Sequence, residues 1–501
     1  MTDDQTAKRI TAFYDGKCPM CASLMSAVDS SNMRNTFDLR DMHKQKSLPF
    51  AREAIERQIH VVDGDGQTHR GAQAILKIAA QYPRLRMLVA AGQAPLVRPL
   101  LEIGYGVVAR NRRFLFGPAS RIFWSKTTVI VIFCIGLAMS PRLWIGPRTY
   151  PLAPVSELLP SSIYPIDILL FGSLFALATA ALVSARPQKF MLAFLAIIGI
   201  FCLLDQTRWQ PWVFQLGFLL AALALFSWDS DDVRGRKRAL DIARLIIAMT
   251  YVFSGLQKMN LNFIDNDFPW IVEPITRLLP SMGAPLRLLA MAAPFIQVGF
   301  GVGLLTRKFR WISLVLAVSM HLFILAMFGP FGHNWNDIIW PWTAAMAILD
   351  ILLFTGSDTF SFREIFWPGR HPYHLCALIV FAFLPLFSFL NLWDSFLSAA
   401  LYSGNLTEAT IYVSDMGRES LPRDVAAFLV HTSPNTNVLN FQRWAIEDLN
   451  VIPYPETRVY KKVTTAICRL TPYPAEVVLL IREQRLFRSR PETGYRCWDL
   501  A

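Results

Sequence analysis

The sequence predicts a multi-domain membrane protein. An N-terminal α/β domain (1–122) precedes an all-α transmembrane bundle of about nine helices (123–391), followed by a small C-terminal α/β domain (392–501). Three observations carry this. The 501 residues are 53% hydrophobic and only 17% charged, with mean hydropathy +0.35, where soluble domains carry roughly a quarter charged residues. Apolar runs recur from about residue 127 to residue 391, and a polar, turn-punctuated segment flanks them on each side. The 36 Phe and 14 Trp suit a lipid-facing surface with aromatic anchors at its edges.

The first segment reads as a compact α/β unit. Ile10–Tyr14 is a short buried strand, Asp15-Gly16 a turn, and a helix opens near Cys18. Ile59–Val62, the Asp63–Gly66 turn and Thr68–Arg70 give a hairpin, and Gly71–Tyr82 is apolar at helical spacing. Leu96–Phe116 is an amphipathic approach to the membrane that ends in the basic run Arg110–Arg113. Residues Met1 to Arg9 are polar and of mixed charge, so no cleavable signal peptide is expected and the N-terminus is expected in the cytoplasm.

The apolar runs fall near 127–146, 166–184, 188–204, 211–228, 240–257, 286–305, 311–328, 337–355 and 373–391. Basic residues offer an independent check. Arg110–Lys126, Arg186/Lys189, Arg234–Arg238, Arg307–Arg310 and Arg363/Arg370 fall in every second connection, while the intervening connections are nearly free of Lys and Arg. That alternation implies a multi-pass membrane protein with the N-terminal domain cytoplasmic and the C-terminal domain exoplasmic, and the expected setting is a bacterial inner (plasma) membrane. The net charge of +12 lies in these short loops, so the lipid bilayer is the expected partner and nucleic acid is not.

In the C-terminal segment Thr410–Val413, Arg458–Ile467 and Glu476–Ile481 read as strands. Its two cysteines, Cys468 and Cys497, are expected to pair, because an exoplasmic segment permits oxidation. Closing a loop of about 30 residues stabilises by roughly 3 kcal/mol in the chain-entropy model.

Cys18 and Cys21 alone are close in sequence among the seven cysteines. A Cys-x-x-Cys at the start of a helix has a specific chemistry. The unpaired N–H groups and the helix dipole favour a thiolate at Cys18, and Cys21, one turn on, can resolve a mixed disulfide. A zinc site would need two more ligands, and His43, His60 and His69 lack zinc-site spacing. Haem attachment would need His where the chain has Ala22. No metal site is expected.

The string Tyr14–Cys21 (YDGKCPMC), with Asp38–Asp41, Gly71–Ala74 and Tyr105–Arg112, resembles the DCC family of thiol-disulfide oxidoreductases over most of residues 10–115. The resemblance implies a thioredoxin-like fold with Cys18 and Cys21 catalytic and Asp15 supporting them. One departure is that no proline precedes the strand at Ile59, where thioredoxins place a cis-proline.

Polar residues at membrane depth are costly unless compensated, which makes them the places to look for chemistry. Asp205, Arg208, Trp209, Trp212, Lys258, His321, His333, Asn334, Asn336 and Asp337 all fall in the predicted exoplasmic half, where a long loop over 259–285 can cover them. Lys258 reads either as a snorkelling anchor or as a functional amine, and Asp205 with Arg208 most simply as a surface ion pair. Trp209 and Trp212 read as an interfacial aromatic belt or as cofactor-binding residues.

The segments Asp205–Trp212 (DQTRWQPW), Tyr251–Lys258 (YVFSGLQK) and His321…Asn334…Trp340-Pro341 resemble the horizontally transferred transmembrane (HTTM) domain, related to vitamin K-dependent gamma-carboxylase, over roughly 120–400. The resemblance implies a quinone-type ligand, with Lys258 as the base at its pocket and His321 a helper. Trp212 stands where the carboxylase has a histidine associated with carboxylation, which implies quinone binding without glutamate carboxylation. The expected function is a membrane thiol-disulfide oxidoreductase coupled to a quinone. Cys18 and Lys258 are predicted on opposite membrane faces, so coupling needs a mobile quinone or a thiol protein partner. Two alternatives stand beside it. One is an HTTM-type enzyme modifying a peptide or lipid at the outer face, with a redox-sensing N-terminal domain. The other is a non-catalytic scaffold or transporter.

Overall fold

The computed structural model describes residues 9–30, 36–95, 97–116, 118–160, 163–226, 232–355, 360–367, 371–483 and 492–500. Residues 1–8 and Arg370, which entered the signal-peptide and topology arguments, lie outside them. The chain forms two compact units: Met1–Ser125 with Thr306–Ile312 and Ile351–Phe360, and Lys126–Leu305 with Ser313–Asp350 and Ser361–Ala501.

The N-terminal part runs β1 (Ile10–Tyr14), α1 (Pro19–Ser30), β2 (Phe37–Asp41), α2 (Arg52–Arg57), β3 (His60–Val62), β4 (Thr68–Arg70), α3 (Gly71–Ala79), α4 (Arg86–Gln93) and α5 (Val97–Phe116). The mixed sheet has the order β2-β1-β3-β4, with β1 parallel to β2 and antiparallel to β3. Strand β1 buries both faces, as its unbroken apolar character requires. Ile10 and Ala12 pack with Met25 and Val28 of α1 and with Ala74 and Ile78 of α3, while Phe13 packs with Met42 and Ile55. The Cys-bearing end of β1 is therefore held from two sides.

Five helices are long and apolar enough to cross a membrane: Arg121–Met139 within α6 (Pro118–Met139), α7 (Ile166–Val183), α10 (Val233–Gln257), Pro280–Leu304 containing α11 (Gly283–Leu304), and α12 (Arg310–Phe328). Four further apolar runs form shorter helices: α8 (Gln188–Leu204), α9 (Pro211–Ala224), α13 (Ile339–Phe354) and α14 (Pro372–Ser388). Each of the nine apolar runs contains a helix among its described residues, but only five are long and apolar enough to cross a membrane, so the expected bundle of about nine transmembrane helices is not confirmed. The 14 residues of α9 rise only ~21 Å, short of a ~30 Å hydrocarbon core. The spans also differ in setting, since α10 is largely buried inside the protein while α7 is mostly exposed.

The C-terminal part contains β5 (Glu408–Val413), β6 (Leu429–Ser433), β7 (Thr436–Leu439), α15 (Phe441–Leu449), α16 (Thr457–Leu470), β8 (Val477–Arg482) and β9 (Glu492–Arg496). Its strands form an antiparallel sheet in the order β6-β7-β5-β8-β9. The expected strand Thr410–Val413 falls within β5, and Glu476–Ile481 overlaps β8 from Val477 onward. The third, Arg458–Ile467, is instead helical within α16. Val459, Tyr460, Val463, Thr464 and Ile467 are buried at spacings of one, three and four, so the helical period overrides the β-propensity of its Val, Tyr and Thr residues. Asp448 of α15 ties this part to the helical part, accepting from Arg142 Nη1 (3.2 Å) and from the Thr149 and Tyr150 N–H groups (2.8 and 2.7 Å).

Candidate functional site

Two carboxylates hold the loop that leads into the cysteine pair. Asp15, 1% exposed, accepts the Lys17 N–H (3.0 Å) and sits 2.9 Å from His43 Nε2. Asp41 Oδ1, at the end of β2, accepts the N–H groups of Gly16 (3.1 Å) and His43 (3.0 Å). Glycine at 16 lets the Asp41 carboxylate lie against the backbone, since a Cβ there would lie 2.2 Å from Asp41 Oδ2 and push it aside. Helix α1 opens with Pro19, whose fixed φ suits a first helical position, and the Cys18 carbonyl accepts the Ala22 N–H at 2.9 Å. Cys18 thus stands at the mouth of the helix, where unpaired N–H groups favour a thiolate.

The two cysteines are not joined by a disulfide. Cys18 is fully buried and Cys21 half-buried. Of the two sulfur-bearing side chains, Cys21 alone is partly exposed. Tyr105 ties α5 to the start of β3, since its hydroxyl accepts the Ile59 N–H at 3.0 Å, a bond that a proline at 59 would have no N–H to make.

In the helical part, Tyr251, Ser254 and Lys258 lie at i, i+3 and i+7, on one face of α10 and its first following residue. Gly255 lets α11 come to backbone contact, since a Cβ there would meet the Pro294 carbonyl oxygen and a Val298 methyl at 2.7 Å each. That face lines a cavity of about 460 Å³, closed by Phe300 of α11, His321 and Ile324 of α12, Trp342 and Met346 of α13, and Phe396 and Tyr402. Lys258 Nζ donates to Ser254 Oγ (2.6 Å) and to the Ser254 carbonyl (3.1 Å). Enclosure among apolar groups disfavours its ammonium and draws the amine down to about 8, against a smaller upward pull from Asp267. Tyr251 OH donates to Asp350 Oδ2 and lies 2.7 Å from His321 Nε2.

The remaining expected residues divide between this cavity and a separate cluster. Lys258 and His321 both line the cavity, and Asn336 donates to the hydroxyl of its lining residue Tyr402 at 2.9 Å. His333 Nε2 donates to the Trp270 carbonyl (2.7 Å) and stacks on the Trp270 ring. Asp205 and Arg208 are not a surface pair. Both are buried, and Asp205 takes its closest charge contact from Arg148 Nη2 at 2.6 Å, with Arg208 Nε at 3.8 Å. The loop before α7 folds over them, which no spacing within 205–212 reveals. Trp209 donates to the Cys202 carbonyl (2.9 Å) and Trp212 packs edge-on against Phe133 and Trp144, so neither tryptophan lines the cavity.

Sequence reasoning missed Tyr251 and Asp350 as partners of His321. An aspartate inside the apolar run 337–355 was the available sign, because such a charge needs compensation. It also weighed His43 only as a zinc ligand. Among the described residues no group of three or more His, Cys, Asp or Glu side chains is placed to hold a metal ion. Cys468 of α16 and Cys497, just past β9, are joined by a disulfide.

Residues 12–118 match the family model described as DCC1-like thiol-disulfide oxidoreductase. The match takes in Asp15, Cys18, Cys21, Asp41, His43 and Tyr105. No curated protein and no solved structure matches the chain.

Proposed function

We propose that this chain is a membrane-bound thiol-disulfide oxidoreductase coupled to a quinone-type molecule in its helical part. The observation that carries the reading is the Cys18–Cys21 pair, seated at the start of α1 within the stretch that matches the oxidoreductase family. The β-α-β unit followed by an antiparallel hairpin and a closing helix supports a thioredoxin-like fold for that part. The proposed setting is a bacterial inner membrane, with the N-terminal domain cytoplasmic and the C-terminal sheet exoplasmic.

In the proposed cycle the Cys18 thiolate attacks a substrate disulfide and releases one substrate thiolate. Cys21 then attacks the Cys18 sulfur, which frees the second substrate thiol and leaves a Cys18–Cys21 disulfide. Restoring the dithiol takes two electrons and two protons, the quantity that separates a quinol from its quinone. The cavity fits such a ring: its volume lies within the range of ligand pockets, its walls are mainly aromatic and aliphatic, and Lys258 offers an amine poised to exchange a proton near neutrality. A mobile quinone or a thiol protein partner would carry electrons between the two parts. Organic extraction of purified protein followed by mass spectrometry should find bound quinone, and added quinol should reduce the Cys18–Cys21 disulfide of the oxidised protein. Failure of both ends the coupling proposal.

Complete burial of Cys18 favours a second reading, in which the thiol domain senses redox state for an HTTM-type enzyme modifying a peptide or lipid at the outer face. On that reading Cys18→Ser alters the response to oxidants and leaves basal turnover intact.

A further inference from the structure

A second cavity, of about 380 Å³, lies between the 259–285 loop and the start of α11. It shares one lining residue, Phe268, with the cavity at Lys258. Ile264, Phe268, Val272, Leu286 and Ala290 make its lining mainly apolar. The two charged residues that line it are Asp265 and Arg287, with Arg287 Nη2 donating to Asp265 Oδ1 at 3.2 Å. Both side chains are exposed, so they hold each other only weakly. Among the described residues the second Asp265 oxygen and the other Arg287 nitrogens have no partner.

The chain around the cavity sets its depth in the membrane. No charged residue interrupts Leu288 to Thr306, a stretch of 19 residues, nearly all of it in α11. Such a stretch rises roughly 28 Å, about one hydrocarbon thickness. Arg287 therefore stands at the level of the lipid headgroups on one face, and Arg307 at that level on the other. Residues 277–285 are exposed without a break, Leu278 by 81%, and Leu279 and Met282 are exposed with it. So dense a set of apolar side chains is unfavourable against water. It runs on into the exposed face of α11 at Leu288, Met291 and Phe295, spaced i, i+3 and i+7. Lipid is the one surrounding that suits both stretches.

A ligand at this rim must offer an anion to Arg287 and a cation to Asp265 on an apolar body. A guanidinium takes a phosphate through paired N–H groups, and a carboxylate accepts from a primary ammonium. A purely anionic headgroup would satisfy Arg287 but set like charge against Asp265. A quaternary ammonium has no N–H for Asp265 to accept.

We infer that the cavity between the 259–285 loop and α11 binds a zwitterionic amino-phospholipid of the phosphatidylethanolamine class, with its phosphate on Arg287, its ammonium on Asp265 and an acyl chain against the apolar lining. The inference needs only the membrane-spanning helices and stands apart from the quinone coupling.

Full-length protein, stripped of lipid in detergent, is titrated with dioctanoyl phosphatidylethanolamine, phosphatidylglycerol and phosphatidylcholine, and bound lipid is read by native mass spectrometry. Phosphatidylethanolamine should bind at least about fivefold more tightly than either of the others. Asp265→Asn removes the partner of the ammonium and leaves Arg287 uncompensated, so phosphatidylglycerol should then bind at least as well as phosphatidylethanolamine. Arg287→Gln should weaken phosphatidylethanolamine by at least about fivefold. Both positions are exposed, so neither substitution opens a buried gap. Glycerophosphoethanolamine, the same head without chains, should not displace the lipid at equal concentration. Equal binding of the three lipids overturns the site, as does a preference unchanged in Asp265→Asn or an affinity unchanged in Arg287→Gln. Displacement by glycerophosphoethanolamine would overturn the lipid assignment in favour of a soluble ligand. A dimer mass that excludes lipid would overturn it in favour of a second copy of the chain.

Discussion

The thiol site and the cavity handle polar groups in opposite ways. At the thiol site, Asp15 and Asp41 hold backbone N–H groups of a turn, and Cys18 stands at a helix mouth. Charge there is distributed over a loop and shared with its backbone N–H groups. In the cavity the polar side chains are few and bonded to one another along rigid helices: Lys258 to Ser254, Tyr251 to Asp350 and His321, and Gln215 to Thr250 and Trp342. Thiol exchange needs a stabilised thiolate, and fixed N–H dipoles favour one at a helix mouth. A hydrophobic ligand needs mainly apolar walls, and a polar group in such a wall is costly unless a partner is supplied.

That contrast predicts that the two functions can be disabled separately. Cys18→Ser should reduce dithiol exchange by at least about a thousandfold, because a hydroxyl is a far weaker nucleophile than a thiolate, and it should leave quinone binding unchanged. Cys21→Ser should instead accumulate a mixed disulfide on Cys18, visible as a mass adduct. Adducts on Cys21 in the Cys18→Ser protein would reverse the two roles, an outcome with a structural basis in the burial of Cys18.

The next largest effect belongs to the cavity. A proton-accepting lysine must be neutral part of the time, which an arginine cannot be because its pKa exceeds about 12. Lys258→Arg should abolish quinone-dependent turnover with expression and thiol reactivity intact. Lys189→Arg, at a residue with no assigned role, should be silent. If both variants keep the parent's activity, Lys258 is an anchor.

How far each site could be read in advance follows from how it is built. The thiol site is local: strand, turn, Cys-x-x-Cys and helix lie within about twenty residues, so Ile10–Ser30 declared itself in order. The tie to Asp41 and His43 crosses 25 and 28 residues and was not visible, although Asp41 stood in the resemblance as part of a string. The cavity draws on α10, α11, α12 and α13. Lys258 and His321 stood out as polar residues at the edge of, or within, apolar runs, yet nothing in their spacing shows that Tyr251 bridges His321 to Asp350. The Gly255 of the resembling segment acquires its reason only from the backbone of α11 at Pro294. Helix α16 misled because its composition suits a strand while its burial follows a helix.

The loop ties themselves offer a smaller test. Asp41→Ala leaves the N–H groups of Gly16 and His43 without their acceptor, at a cost of about 2 kcal/mol. Gly16→Ala forces the same carboxylate aside and should cost a similar amount. Amide hydrogen exchange in the full chain should show both losses within residues 10–45, with α10 unaltered. Loosening of α10 to the same degree would mean that the two regions are not independent.

The smallest expected effect is a pH response confined to the thiol-bearing part. Asp63, 7% exposed, closes the β3–β4 hairpin: it accepts from Lys77 Nζ (2.8 Å), lies 2.9 Å from His69 Nε2, and accepts the N–H groups of Asp65 (3.1 Å) and Gln67 (2.9 Å). Lys77 foremost, then His69, holds this carboxyl well below the usual carboxylate range. Its folded pKa is thus lower than its unfolded value of about 4, and the unfolded chain takes up the proton more readily. The contribution is complete above about pH 4 and is lost as the pH falls through the folded pKa. Intrinsic-rate-corrected exchange protection of residues 60–70 should therefore decline between about pH 5 and pH 2, with α10 as the reference in the same sample. Asp63→Asn keeps the shape and removes the titration, so its hairpin should be less protected at neutral pH and flat across the acid range. A hairpin that loosens in acid as steeply in Asp63→Asn as in the parent would place the acid response on other carboxylates, with Asp15 and Asp41 at the cysteine loop the next to examine.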